Sequence, residues 1–190
     1  MLSGRRLDLL APDPNDIDIG DIAHGLARVA RWNGQTLGDT ALSVAQHCCI
    51  VTDVVEALAP ASGPQVRLAA LLHDAPEYVI GDLISPFKAA IGLDYKAFER
   101  KLLDAIHARF GIAAEVAQDS LALIKTADRI AAYFESTRLA GFSVSESQIF
   151  FGRPPAMPHM LTESLELLYP WPANQSESQY LQKFRALGGR

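Results

Sequence analysis

Cysteine, surplus positive charge and long apolar runs are all scarce in this sequence, and each scarcity excludes something. The two cysteines among 190 residues, Cys48 and Cys49, are adjacent. A neighbouring pair is a poor disulfide candidate and matches no zinc-ribbon spacing, so both are expected as reduced core residues. Seventeen Lys and Arg against 22 Asp and Glu give a net charge of −5. That balance is not the footprint of a protein that tracks a polyanion, so nucleic acid is not an expected partner and small substrates are favoured, although a local basic cluster at a phosphate site stays compatible. No window reaches about 18 apolar residues without charge, and no apolar run follows Arg5-Arg6. No membrane association and a cytoplasmic location are therefore the expectation. Strand-type alternation and internal repeats are missing too.

What remains is a chain 49% hydrophobic and 21% charged, long enough to bury a core and within the size of one domain. The expectation is a single all-α domain over 1–190, a compact bundle of about six to eight helices. Residues 1–16, broken by Gly4, Pro12 and Pro14, are read as an extended N-terminal segment. Apolar periodicity predicts helices over 18–32, 40–59 and 65–75, the last apolar on nearly all sides and hence expected at the centre of the fold. A loop follows at 81–86. Further helices are expected over 95–110 and 115–139, closing a core of about 18–140, and then over 160–168 and 176–187 beyond Arg153-Pro154-Pro155.

Four polar residues stand where the helical period calls for apolar ones. His47 shares a face with Val44, Val51, Val54 and Leu58, so it points into the core. Asp128 lies among Ile124, Ala127, Ala131 and Phe134, where an unpaired carboxylate would cost several kcal/mol or protonate. A metal ion, or a basic neighbour such as Arg129, would compensate it. His73 and Asp74 sit together at the end of the most apolar helix, and imidazole nitrogen with carboxylate oxygen is a mixture suited to transition metals. Taken singly, each has an ordinary reading as a hydrogen-bonded or ion-paired residue.

His47, the dyad His73-Asp74 and the distant Asp128 resemble the H…HD…D signature of the HD-domain metal-dependent phosphohydrolases. The likeness extends through Leu71-Leu72-His73-Asp74-Ala75-Pro76-Glu77, Gly81-Asp82-Leu83, Pro86 and Lys88, and again through Lys125-Thr126-Ala127-Asp128. This looks like the branch containing bacterial 5′-deoxynucleotidases. The opening segment, from Ser3-Gly4-Arg5 to Asp21-Ile22-Ala23-His24, is similar to a further group of bacterial HD proteins, so the resemblance covers about 1–140.

The resemblance implies an HD-type helical bundle in which His47, His73, Asp74 and Asp128 hold one divalent ion, of the Mn, Co, Fe or Mg type. It also implies that Glu77 positions or deprotonates the attacking water. Pro76 interrupts the helix before Glu77, which would put Glu77 on the first turn after it; the alternative is a solvated charge at a helix end. By the same resemblance Arg31 and Trp32 lie near phosphate and base, with Trp32 alternatively a helix-end anchor. Asp82 would contact the sugar and Lys88 the phosphate, or both are ordinary loop residues. The expected activity is hydrolysis of a phosphomonoester, foremost a nucleoside or deoxynucleoside 5′-monophosphate. The alternatives are a cyclic or polyphosphorylated nucleotide as substrate, or a regulatory protein that binds a nucleotide without cleaving it. Relatives of this kind are often dimers, which makes a homodimer a further expectation.

Overall fold

A computed structural model describes residues 1–83 and 95–190. Its described residues are all-helical apart from turns, irregular segments and one isolated antiparallel bridge, Ala30 to Ser43. The first helix, α1 (Ile19–Leu26), is capped by Asp18, whose side chain accepts from the Gly20 N–H at 2.8 Å. This helix stops well short of residue 32. From Val29 the chain runs beside Leu42–Val44 instead, with the Arg31 N–H donating to the Leu42 carbonyl at 2.8 Å and the Val44 N–H to the Val29 carbonyl at 3.0 Å. Trp32 (φ 56°) and Asn33 (φ 52°) then adopt left-handed backbone, which no helical period announces.

The second helix, α2 (Val44–Leu58), opens on the Ser43 cap and buries eleven of its fifteen residues. Among the described elements it packs on more of the molecule than any other, and it occupies the centre expected of the third helix. That third helix, α3 (Pro64–Leu71), buries only its second half, Leu68 to Leu71. It also ends before residue 75. Pro76 disfavours helical backbone at the residue before it, and the chain passes through turns over 72–76 into the single turn α4 (Glu77–Ile80).

After the undescribed stretch come α5 (Tyr95–Arg109) and α6 (Ala114–Arg138), close to their expected bounds. The helix α7 (Val144–Phe151) was not expected from the sequence. Its one buried residue is Ser147, whose hydroxyl meets that of Ser136 at 2.7 Å, so it lacks the apolar stripe that periodicity detects. The signal that could have found it is local, a capping box between Ser143 and Glu146. The last two helices are α8 (His159–Glu166) and α9 (Ala173–Ala186). Nine α-helices among the described residues thus exceed the six to eight expected, the excess being α4 and α7.

Buried side chains from α1, α2, α3, α5, α6, α8 and α9 form one hydrophobic cluster. Tyr180 of α9 reaches through it to donate to the Leu71 carbonyl at 3.1 Å, at the end of α3. Cys48 and Cys49 are free and buried, as expected. The N-terminal segment is irregular except for a 3-10 turn at Pro14–Asp16. It is pinned where the Ser3 N–H donates to the buried Asp21 carboxylate at 2.8 Å. Among the described residues no helix is long and apolar enough to cross a membrane.

Candidate metal centre

Three elements deliver the polar cluster. α2 supplies His47, the turn closing α3 supplies His73 and Asp74, and α6 supplies Asp128. The His47 Nε2 lies 3.2 Å from Asp128 Oδ1 and 3.5 Å from Asp74 Oδ2, and the His73 Nε2 lies 3.2 Å from the same Asp74 oxygen. One ligand atom from each of His47, His73 and Asp128 falls within 4.8 Å of the other two. Donors about 2.1 Å from a common ion stand roughly 3.0–3.4 Å apart in octahedral or tetrahedral arrangements. Both Nε2 atoms are buried and make no hydrogen bond, a costly condition for a polar atom. The His73 Nδ1 meets the Ala70 carbonyl at 2.8 Å, and since a carbonyl only accepts, Nδ1 carries a hydrogen and Nε2 is the ring nitrogen left to face the carboxylates. The donor set therefore fits a divalent cation.

Asp128 is less enclosed than its apolar neighbours suggest, with its side chain 39% exposed. Arg129 is exposed, and it is His47 that faces the carboxylate. Burial and Arg31 both oppose charge on His47, but Glu135, Asp128 and Asp74 outweigh them and hold its pKa well above the usual imidazole range. Burial likewise opposes charge on His73, and Asp74 and Cys48 raise it. Asp74 is held well below the carboxylate range by the two histidines against the effect of burial. A cation entering here displaces protons.

Glu77 opens α4 and is only 3% exposed, so it is not a solvated helix-end charge. Tyr95 of α5 senses it: burial pushes that phenol up, with Glu99, Glu77, Asp82 and Asp74 adding to the effect. Glu77, Asp82 and Asp74 thus share one neighbourhood. Lys88 lies outside the described residues.

Arg31 and Trp32 are turned onto a residue that the sequence reading missed. Glu135 of α6 is fully buried. Its Oε1 is 2.6 Å from His47 Nδ1, while its Oε2 accepts from Arg31 Nε at 3.3 Å, Arg31 Nη2 at 3.1 Å and Trp32 Nε1 at 3.0 Å. Arg31 Nη1 also stands 3.9 Å from Asp82. The Trp32 ring packs against Phe142 and Phe151, with centroids 5.7 and 5.9 Å away. Burial opposes ionisation of Glu135, yet Arg31, His47 and Trp32 bring its pKa down to about 2. A signal was present in the sequence, since Glu135 follows Asp128 by seven residues and Ala131 by four and so interrupts the same apolar stripe.

A cavity of about 260 Å³ opens beside the cluster between α3, α5 and α6. His73, Asp74 and Asp128 line one end, and Arg100, His107 and Lys125 contribute polar groups, none of which was proposed from sequence. His107 is buried and its Nε2 has no hydrogen-bond partner. The two remaining histidines face acids at the surface, His24 Nδ1 at 3.2 Å from Glu177 and His159 Nδ1 at 3.9 Å from Glu163.

No family model matches the chain. An uncharacterized protein of Rhodobacter capsulatus is 54% identical to it over 154 residues, which cover 81% of this chain and 79% of that protein. At that identity and coverage, the chain belongs to the same family as the Rhodobacter capsulatus protein.

Proposed function

We propose that this protein is a metal-dependent phosphohydrolase of the HD type, acting on a phosphomonoester and foremost on a nucleoside or deoxynucleoside 5′-monophosphate. The observation that carries this reading is the pair of buried imidazole Nε2 atoms, without hydrogen-bond partners, facing two carboxylates at the edge of a cavity that also holds cationic side chains. The likeness of His47, His73-Asp74 and Asp128 to the H…HD…D signature supports it. In this reading the four residues would hold one divalent ion, of the Mn, Co, Fe or Mg type, which would supply Lewis-acid polarisation of the phosphoryl group.

The protein's own groups do the rest. Lys125 and Arg100 carry positive charge to the cavity and offset that of the phosphate. The apolar wall of Leu103, Leu121 and Ile124 receives the less polar part of the leaving group. Glu77 accepts the proton of the attacking water as the new P–O bond forms and the ester P–O bond breaks, and it can return that proton to the leaving oxygen.

The test is phosphate release by chelator-treated protein from a panel of ribo- and deoxyribonucleoside mono-, di- and triphosphates, with Mn, Co or Mg restored. Release confined to 5′-monophosphates and dependent on metal is expected. Nucleotide binding without release would replace the enzyme with a nucleotide-sensing protein.

A further inference from the structure

We infer that Glu135 is a positioning residue that locks His47 in the tautomer able to bind a metal, with Arg31 and Trp32 in turn locking Glu135. The inference rests on the metal-centre reading above. The four donors around this carboxylate are shared unevenly: among the described residues Oε1 meets only His47 Nδ1, and Oε2 takes both Arg31 contacts and the Trp32 indole. An ionised carboxylate accepts and cannot donate. In the neutral ring the hydrogen of His47 therefore resides on Nδ1, and Nε2 offers its lone pair to the space shared with His73, Asp74 and Asp128. His73 achieves the same through a backbone carbonyl. His47 sits in the first turn of α2, where the nearby backbone carbonyls are engaged in the helix, and so requires a side chain from elsewhere.

The surroundings show that this acceptor is held in place. Arg31 offers a guanidinium from a segment outside both helices. Trp32 donates from left-handed backbone that a bulky residue adopts only when its surroundings over-determine it, and here Phe142 and Phe151 clasp its ring. If the cluster served only to join α2 to α6, apolar side chains would do so without a buried charge. It ends instead on the nitrogen opposite the metal-facing one, as in carboxylate–histidine–metal arrangements.

Glu135→Gln separates charge and tautomer from shape. With its amide oxygen toward Arg31 and Trp32, glutamine turns an NH2 toward His47 Nδ1. That demands a bare Nδ1 and moves the hydrogen onto Nε2, where it blocks metal binding. The experiment is Co2+ affinity by chelator competition for wild type and Glu135→Gln, with helical content checked by circular dichroism. Alongside it, long-range 15N–1H NMR of zinc-loaded wild type would look for an Nδ1–H of His47. A 10–100-fold loss of Co2+ affinity in a folded variant is expected, with a smaller loss for Trp32→Phe, which keeps the ring packing and removes one donor. Equal Co2+ affinity in wild type and Glu135→Gln, or a wild-type His47 without the Nδ1–H, overturns the role of Glu135 and leaves the metal centre standing. If Glu135→Gln fails to fold, the wild-type NMR and Trp32→Phe decide. Failure of wild type to bind Co2+ at all removes the metal reading and this inference together.

Discussion

At the scale of the residue, the cluster is a balance between buried imidazoles and carboxylates of unequal exposure. Asp128 is the most open of the four candidate ligands, so its loss should disturb the metal site far more than the fold. Asp128→Ala is expected to keep helical content and lie within about 1 kcal/mol of wild-type stability, while abolishing metal-dependent phosphate release. Phosphate release at the wild-type rate by this variant would sink the mechanism. His107 makes a separate statement about pH. Burial lowers its pKa to about 4, with Asp104 opposing and Arg100 assisting, so between about 6.5 and 4 the unfolded chain binds the proton that the folded one refuses. Its contribution is fully present above about pH 6.5 and is lost as pH falls towards 4, by up to about 3 kcal/mol. Denaturant unfolding at pH 7 and pH 4.5 should show a smaller acid-induced loss in His107→Gln than in wild type.

At the scale of the element, the position of α4 depends on a glycine in α1. A Cβ on Gly25 would stand 2.8 Å from Tyr78 Cβ and 2.9 Å from the Tyr78 carbonyl oxygen, and Tyr78 is the residue after Glu77. The two helices pass too closely for any side chain there. Gly25→Ala should displace α4, cost about 1–3 kcal/mol through overpacking and slow turnover through Glu77 while leaving Co2+ affinity near wild type. Thermal melts, turnover and chelator competition on the one variant would separate these effects. Elements also show where periodicity misleads. The apolar positions Val29 and Ala30 continue the pattern of α1, yet their backbone pairs with Leu42–Val44. That diversion carries Arg31 and Trp32 to Glu135, which a longer α1 would not do.

At the scale of the whole molecule, the metal site is a joint between elements far apart in sequence, so a bound ion should stabilise the entire fold. Binding to the folded state alone adds about 2.7 kcal/mol at a metal concentration a hundred times Kd. The Tm of chelator-treated protein should rise on adding Mn2+ or Co2+. The rise should shrink at lower pH, because His47 and His73, both raised well above the ordinary imidazole value, must release protons before they ligate. A Tm indifferent to these ions at neutral pH would mean that the cluster is not a metal site. Much of this architecture was legible from local pattern. The all-helical class, the bounds of α5 and α6, the inward face of His47, the turn before Glu77 and the reduced core cysteines follow from a 3.6-residue period, from proline stereochemistry and from residue type, which are properties of neighbours along the chain. The tertiary structure alone decided that α2 rather than α3 is central, that Arg31 and Trp32 lean on Glu135, and that Arg100, His107 and Lys125 share a cavity with the cluster. His47 and Glu135 are 88 residues apart, and a hydrogen bond across that separation depends on how α2 packs against α6, which no local period encodes.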